Sequence, residues 1–325
     1  MKRKRIFYLL GLILFLTIGS FGFLNAKDKK ESKILLHFVQ ISDTHLQESS
    51  VVDAGRLLGS SDKLLKDAVT QINDIKDLDF VLATGDLVDM PKKKLLDKFL
   101  EITKDIKYPF YALFGNHDAG VNSELNKKDY IKRFTKVNTI SFTDGMPYYS
   151  FSPNEKFTII CLDGTTEKVV TAHGQIEDPK QFEWLEKELE ANKNKYVIIA
   201  LHFPLIEPFK SESHFFLEPD RTKLLDLLNS YENVIGVFTG HYHVAKLLKV
   251  KNKIHNSCPA VVQYPNAFRE ILITQDDEKY LNVEFKWHDV DGLELREKSK
   301  FGTKNWAAAG GAKEDREDVV KVRIY

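Results

Sequence analysis

The sequence predicts an α/β domain. Three observations carry this. Short apolar runs alternate with amphipathic runs at helical spacing through the first two thirds of the chain. After His243 the helical runs stop, and short strands follow one another. The composition is that of a globular protein with enough apolar residues for a sizeable core, 43 % hydrophobic and 29 % charged in 325 residues. This order argues for an α/β domain with a second sheet built from the C-terminal part.

The elements follow in order. Ile34–Ile41 reads as a buried strand. Leu64, Leu65, Ala68, Val69, Ile72 and Ile75 recur at helical spacing behind a Ser61-Asp62 start signal. Phe80–Ala83 is a strand stopped by Thr84-Gly85. Lys92–Ile106 reads as a helix, Pro109–Phe114 as a strand and Asn126–Val137 as a helix. Phe157–Leu162 is a strand. Pro179–Asn192 places Phe182, Leu185 and Leu189 on one helical face. Val197–Leu201 is a strand, Pro219–Ser230 a helix and Val234–Phe238 a strand. Strands follow at about 244–250, 268–274 and 281–287. The tail from Lys298 to Asp318 is polar, contains an Ala-Gly stretch and is expected to be loose. Val319–Tyr325 is expected to return as an edge strand. No internal repeat is present.

The first residues read differently. Lys2, Arg3, Lys4 and Arg5 precede an uncharged, mostly apolar run from Ile6 to Leu24. A helix over that run rises about 28 Å at about 1.5 Å per residue, close to the bilayer core. Residues 1–26 are therefore expected to be a cleaved signal peptide or an uncleaved membrane anchor. Residues 27–33 form a polar linker, 34–297 the main domain and 298–325 the tail. Either reading exports the domain to the cell envelope or beyond, with membrane contact through residues 6–24 if the anchor is kept.

Charge and cysteine content exclude some classes. Lys plus Arg and Asp plus Glu both number 47, so no global basic field would hold nucleic acid. Cys161 and Cys258 are the two cysteines and are far apart, which argues against thiolate metal sites and disulfide frameworks. An exported chain leaves a single disulfide between them open. The sequence does not specify an oligomeric state.

Five short clusters stand at the ends of predicted strands. They are Asp43-Thr44-His45, Gly85-Asp86-Leu87-Val88-Asp89, Gly115-Asn116-His117-Asp118, His202, and Gly240-His241-Tyr242-His243. A lone Asp or His after a strand is usually a turn residue or cap. Five such clusters in order, each behind an apolar run, are not explained that way. Ligands bind beyond the carboxyl ends of strands in open α/β sheets, so five strands would deliver oxygen and nitrogen donors to one edge. His37, His173, His214, His255 and His288 fall outside the clusters and read as ordinary, although His173 sits in a loop that could approach a substrate.

This series resembles the calcineurin-like metallophosphoesterase family over roughly residues 36–275. The resemblance implies a four-layer α/β/β/α sandwich of two mixed sheets flanked by helices. It implies two metal ions, with Mn, Fe or Zn suited to imidazole and carboxylate donors. Carried over residue by residue, Asp43, His45 and His243 would bind the first ion. Asn116, His202 and His241 would bind the second, and Asp86 would bridge both. A hydroxide between the ions would attack phosphorus in line. His117 would protonate the leaving oxygen, oriented by Asp89 in preference to Asp118.

Departures from sister groups narrow the class. Protein Ser/Thr phosphatases of the family carry Arg after GDxxD and Glu after GNH; here Met90 and Asp118 stand there. Purple acid phosphatases use Tyr where this chain has Asp89, and they lack the His that is present as His45. The remaining pattern is similar to bacterial phosphodiesterase-like members. The expected substrate is a small phosphate ester, diester or monoester. A non-catalytic metal-binding module would show a missing ligand, and none is missing. A lipid-linked substrate would need an apolar lip, for which Phe203, Pro204, Phe209, Phe215 and Phe216 are candidates beside a loop folded onto its own core.

Overall fold

The computed structural model describes residues 33–48, 52–120, 124–137, 142, 145–169, 171–277, 279–290 and 293–324. The expected leader or anchor, and all of the linker except Lys33, lie outside the described residues. Twelve strands and eight α-helices are described. The strands are β1 Lys33–Ile41, β2 Phe80–Ala83, β3 Phe110–Ala112, β4 Tyr149–Asn154, β5 Phe157–Cys161, β6 Tyr196–Ala200, β7 Val234–Thr239, β8 Lys246–Val250, β9 Lys253–Ser257, β10 Ala267–Asp277, β11 Tyr280–Asp289 and β12 Asp318–Arg323. The helices are α1 Ser61–Asp74, α2 Lys93–Thr103, α3 Lys127–Val137, α4 Lys180–Ala191, α5 Asp220–Ser230, α6 Leu293–Gly302, α7 Trp306–Gly310 and α8 Lys313–Arg316.

Two six-stranded mixed sheets result, in the orders β12-β11-β10-β1-β2-β3 and β4-β5-β6-β7-β9-β8. β1, β2 and β3 are parallel, as are β5, β6, β7 and β9. Alternation along the strands builds the layers. In β5 and β6, Ile159, Cys161, Ile198 and Ala200 join the core shared with the first sheet. Their neighbours Ile160, Val197 and Ile199 face the other way and pack with Phe182, Leu185 and Leu189 of α4 and Leu224 and Leu228 of α5. Leu64, Leu96, Phe99 and Phe134 of α1, α2 and α3 bury their apolar stripes in the core of the first sheet. Aromatic rings bridge the sheets: Phe38 stacks on Phe80 at 4.8 Å and lies 5.7 Å from Phe238. The architecture is the four-layer α/β/β/α sandwich.

Two expectations are corrected. The strand expected at 244–250, β8, joins the second sheet, but the strands expected at 268–274 and 281–287 do not. β10 pairs antiparallel with β1, and β11 and β12 extend that same first sheet. Apolar patterning identifies strands but not their partners, and the free edge of β1 is what β10 occupies. The second sheet comes from the middle of the chain. The segment 298–318 is not loose either. It holds the end of α6, then α7 and α8, and is anchored by polar contacts that hydropathy does not reveal. Buried Ser299 donates to the Gly55 carbonyl and accepts from the Tyr264 N–H, both at 2.6 Å. Asp315, also buried, accepts from Lys246 Nζ at 3.0 Å. Cys161 and Cys258 are both buried and unbonded. Among the described residues no helix is long and apolar enough to cross a membrane.

Candidate metal centre

The parallel strands end on one edge, and the five clusters meet there. The loops after β1 and β2 run side by side: Asp43 N–H donates to Gly85 O at 3.1 Å and His45 N–H to Asp86 O at 2.9 Å. The loops after β3 and β7 are tied in through the carboxylates themselves. His117 N–H donates to Asp86 Oδ1 at 2.8 Å, and His241 N–H donates to Asp43 Oδ2 at 3.1 Å. Two glycines permit this closeness. A Cβ on Gly115 would fall 2.2 Å from Asp86 N and Oδ1, and one on Gly240 would fall 1.9 Å from Ser42 Oγ. Of eleven described non-glycine residues with positive φ, five are Asp43, His45, Asp86, His241 and His243. Such backbone costs about 1–3 kcal/mol per residue and persists where the surroundings enforce it, as at functional sites.

The side chains converge in two groups. Asp43, His45, Asp86 and His243 bring one donor atom each within 4.8 Å of one another, and Asp86, His202 and His241 do the same. Asp86 belongs to both groups. His45 Nε2 and His202 Nε2 each stand 3.4 Å from Asp86 Oδ2. Asn116 Oδ1 stands 3.2 Å from His202 Nε2, which places it with the second group. All seven expected ligands are thus brought together.

The far nitrogen of each imidazole tests whether the set fits metal ions. His202 Nδ1 donates to Thr84 O at 2.7 Å, and His241 Nε2 donates to Ala172 O at 2.8 Å. His243 Nδ1 pairs with Gln263 Oε1. His45 Nδ1 has Asp89 Oδ1 at 3.3 Å without a formed hydrogen bond. For His202, His241 and His243 an oxygen holds one nitrogen and the other is turned inward, the outer-shell pattern of metal-binding histidines, while His45 has only the nearby carboxylate behind it. The inward atoms crowd as acceptors do around a cation: His45 Nε2 lies 3.2 Å from His243 Nε2, and His243 Nε2 lies 3.2 Å from Asp43 Oδ1.

The electrostatics agree. Burial lowers His45 to about 4 and takes His241 well below its ordinary range, so both imidazoles are neutral at neutral pH. Burial also opposes a charged His202, but Asp86 and Asp43 outweigh it and lift that group to about 9. Burial alone would raise Asp43 and Asp86; their histidine neighbours, His243 for the first and His202 for the second, bring both below the usual range. The pocket is built for positive charge between these atoms.

His117 and Asp89 meet, but not as expected. His117 Nδ1 donates to the main-chain carbonyl of Asp89 at 3.0 Å, while Asp89 Oδ1 is 3.7 Å away. That carboxylate is nearer His45, and it accepts from Arg56 Nη1 at 3.2 Å and Gln47 Nε2 at 3.3 Å. Asp89 therefore serves both imidazoles. Asp118 does not reach the His117 ring in the described contacts; it accepts from the N–H groups of Gly115, Leu87 and Val88 and ties two site loops together.

A cleft of about 570 Å³ opens over the centre, lined by His45, Asp86, Asn116, His117, His241 and His243. Its other walls include Arg56, His214, Gln263 and Asn305, which the sequence did not single out. His214 lies tilted against His241 with ring centroids 5.1 Å apart and had read as an ordinary histidine. Gln263 had no signal, being a polar residue outside any cluster. His173 stacks on Phe215 at 5.6 Å, while the neighbouring Ala172 lines the cleft. Of the suggested apolar lip, Phe203 and Phe216 are buried and only Phe209 lines the cleft.

A double-sheet sandwich with paired carboxylate and imidazole groups sharing one aspartate defines a candidate binuclear metal hydrolase. The chain belongs to the calcineurin-like phosphoesterase family, whose profile matches residues 36–245. It is 28 % identical over 208 residues to a probable glycerophosphodiester phosphodiesterase GpdQ of Arcobacter nitrofigilis, covering 63 % of this chain and 71 % of that one. It is 24 % identical over 216 residues to the 3',5'-cyclic adenosine monophosphate phosphodiesterase CpdA of Haemophilus influenzae, covering 65 % and 71 %. Among solved structures, a dimetal phosphatase from Danio rerio superposes with a TM-score of 0.62 at 16 % identity, over 78 % of this chain and 96 % of that one. The chain is a hydrolase of phosphoric ester bonds.

Proposed function

We propose that the chain hydrolyses a small phosphodiester, or a phosphomonoester, at a centre of two metal ions. Asp43, His45 and His243 would hold one ion and Asn116, His202 and His241 the other, with Asp86 shared by both groups. The observation that carries this is the sharing of Asp86 between two donor groups in which His202, His241 and His243 are held from behind by an oxygen. When bound, two cations supply Lewis acidity toward phosphoryl oxygens and a water nucleophile active near neutral pH. The chain's own groups do the rest. Thr84, Ala172 and Gln263 fix the tautomers of His202, His241 and His243. With Nδ1 donating to the Asp89 carbonyl, Nε2 of His117 is the ring atom available to pass a proton to the leaving oxygen. Imidazole and carboxylate donors support Mn, Fe or Zn. The basic start and the apolar run Ile6–Leu24 support an exported domain, which would meet envelope or extracellular phosphodiesters.

The test is turnover of bis-p-nitrophenyl phosphate and p-nitrophenyl phosphate by the purified chain with manganese added and with chelator. Hydrolysis that requires metal is expected. Metal binding without turnover on a broad phosphoester panel would replace this reading with that of a binding protein.

A further inference from the structure

Exposed aromatic side chains stand at or near the cleft, two of them in edge contact with one neighbour: Phe209 with Tyr242 at 5.2 Å and Trp306 with Tyr264 at 6.5 Å. Among the described residues four aromatics are more than a third exposed. Tyr280, at the start of β11, lies at the β10–β11 hairpin, the end of the strands away from the metal centre. Of the other three, Trp306 is on α7, whose Ala309 lines the cleft, and Phe301 lies two residues before the lining Thr303. Phe209, 37 % exposed, is itself a lining residue. Phe301, 95 % exposed, ends α6, and Trp306, 47 % exposed, begins α7. Between and after them, Thr303, Asn305 and Ala309 face the cleft. Ala307 and Ala308 are exposed beside Trp306. Val52, 40 % exposed, precedes the turn at 53–56, and Gly55 of that turn packs on Gly302.

Basic groups are interleaved with these apolar ones. Lys298 and Lys304 are exposed, and Lys300 Nζ sits 4.4 Å from the Trp306 ring centroid. Glu297 is the acid in the same turn, and Glu294 lies one turn earlier. An almost fully exposed Phe, five residues before an exposed indole in a segment with three lysines, leaves apolar surface in water. It matches an anionic bilayer surface, where rings sink to headgroup level and ammonium groups meet lipid phosphates.

We propose that the corner between α6 and α7, with Phe209 across the cleft, is a membrane-contacting rim that presents the metal centre to phosphodiester headgroups of an anionic bilayer. Hydrolysis of such a headgroup rests on the phosphoesterase reading above; contact with the bilayer does not. This lip is supplied by the tail, beyond the family match, and not by the Phe-rich loop after His202 alone.

The full chain is reconstituted with vesicles of equimolar phosphatidylglycerol and phosphatidylcholine, with plain or brominated acyl chains. Its three tryptophans are Trp184, Trp287 and Trp306. Emission is expected to be quenched by the brominated lipid, and Trp306→Phe should remove that quenching. In the double variant Phe301→Ser with Trp306→Ser, turnover of the vesicle-borne headgroup diester should fall about tenfold or more, while soluble bis-p-nitrophenyl phosphate is hydrolysed as before. Equal emission in plain and brominated vesicles, with normal soluble turnover, would overturn the docking rim and leave the hydrolase standing. Absent soluble turnover with Trp306 quenched would do the reverse. Lipid-independent self-association that Phe301→Ser abolishes would assign the patch to a second copy of the chain instead.

Discussion

Gln263 gives the sharpest single perturbation, because it acts on a metal-facing imidazole without being a ligand. Its Oε1 accepts from His243 Nδ1, and its Nε2 donates to Ala54 O at 2.6 Å. Gln263→Leu removes the acceptor behind a His243 side chain that is only 14 % exposed. An N–H left without a partner there costs about 1–3 kcal/mol, or the ring turns and the inward nitrogen is misdirected. Either route predicts roughly 10–100-fold weaker metal binding, the usual loss when an outer partner of a ligand is removed. Isothermal titration of the purified chain with manganese reads this directly. Gln263→Glu keeps an acceptor and should stay within about threefold of the parent. Turnover of the Leu variant should recover at saturating manganese. If the Leu variant bound manganese as the parent does, the inward orientation of His243 would not depend on Gln263, and the tautomer argument would fail.

His117→Gln should lower turnover by about a hundredfold to ten-thousandfold with metal content unchanged, and more for poor leaving groups than for nitrophenol. Loss of metal together with activity would instead make His117 a structural part of the centre. A second expectation concerns acid stability. Burial, with Lys253 adding to it, lowers buried His255 from 6.5 to about 4. Between those values the unfolded chain binds the proton and the folded chain does not, so stability is complete above pH 6.5 and falls as pH drops toward 4. The loss from this group is at most about 3 kcal/mol. Urea midpoints of the parent and His255→Leu across that range should diverge, with the variant's acid limb flatter; parallel curves would refute the assignment.

Much of the site was legible because its chemistry sits at strand ends, where an apolar run stops abruptly at Asp, Asn or His. The apolar runs that became β1, β2, β5, β6 and β7 were long or sharply bounded enough to place the clusters on one edge. β9 was not legible: Lys253, His255, Asn256 and Ser257 are polar yet buried, and the Lys253 ammonium reaches the carbonyls of Tyr231 and Val234. β4 was missed for a related reason, since its half-buried alternation is interrupted by Ser, Pro and Asn. Partner choice was invisible as well, which is why the strands that became β10 and β11 were assigned to the wrong sheet. The clamp of α6 and α7 onto the cleft rests on single polar contacts such as Ser299 with Gly55. The role of Asp89 was half legible: the family resemblance placed it beside His117, but only the fold shows that its carbonyl serves His117 while its carboxylate faces His45 and Arg56.

The central claim is that one carboxylate, Asp86, joins two metal ions into a phosphoesterase centre. Metal analysis of the purified chain and of Asp86→Ala, on samples also assayed for bis-p-nitrophenyl phosphate turnover, tests it most directly. Two ions per chain and metal-dependent turnover are predicted for the parent, with both lost together in the variant. Full turnover by Asp86→Ala, or a single tightly held ion in a fully active parent, would contradict the account.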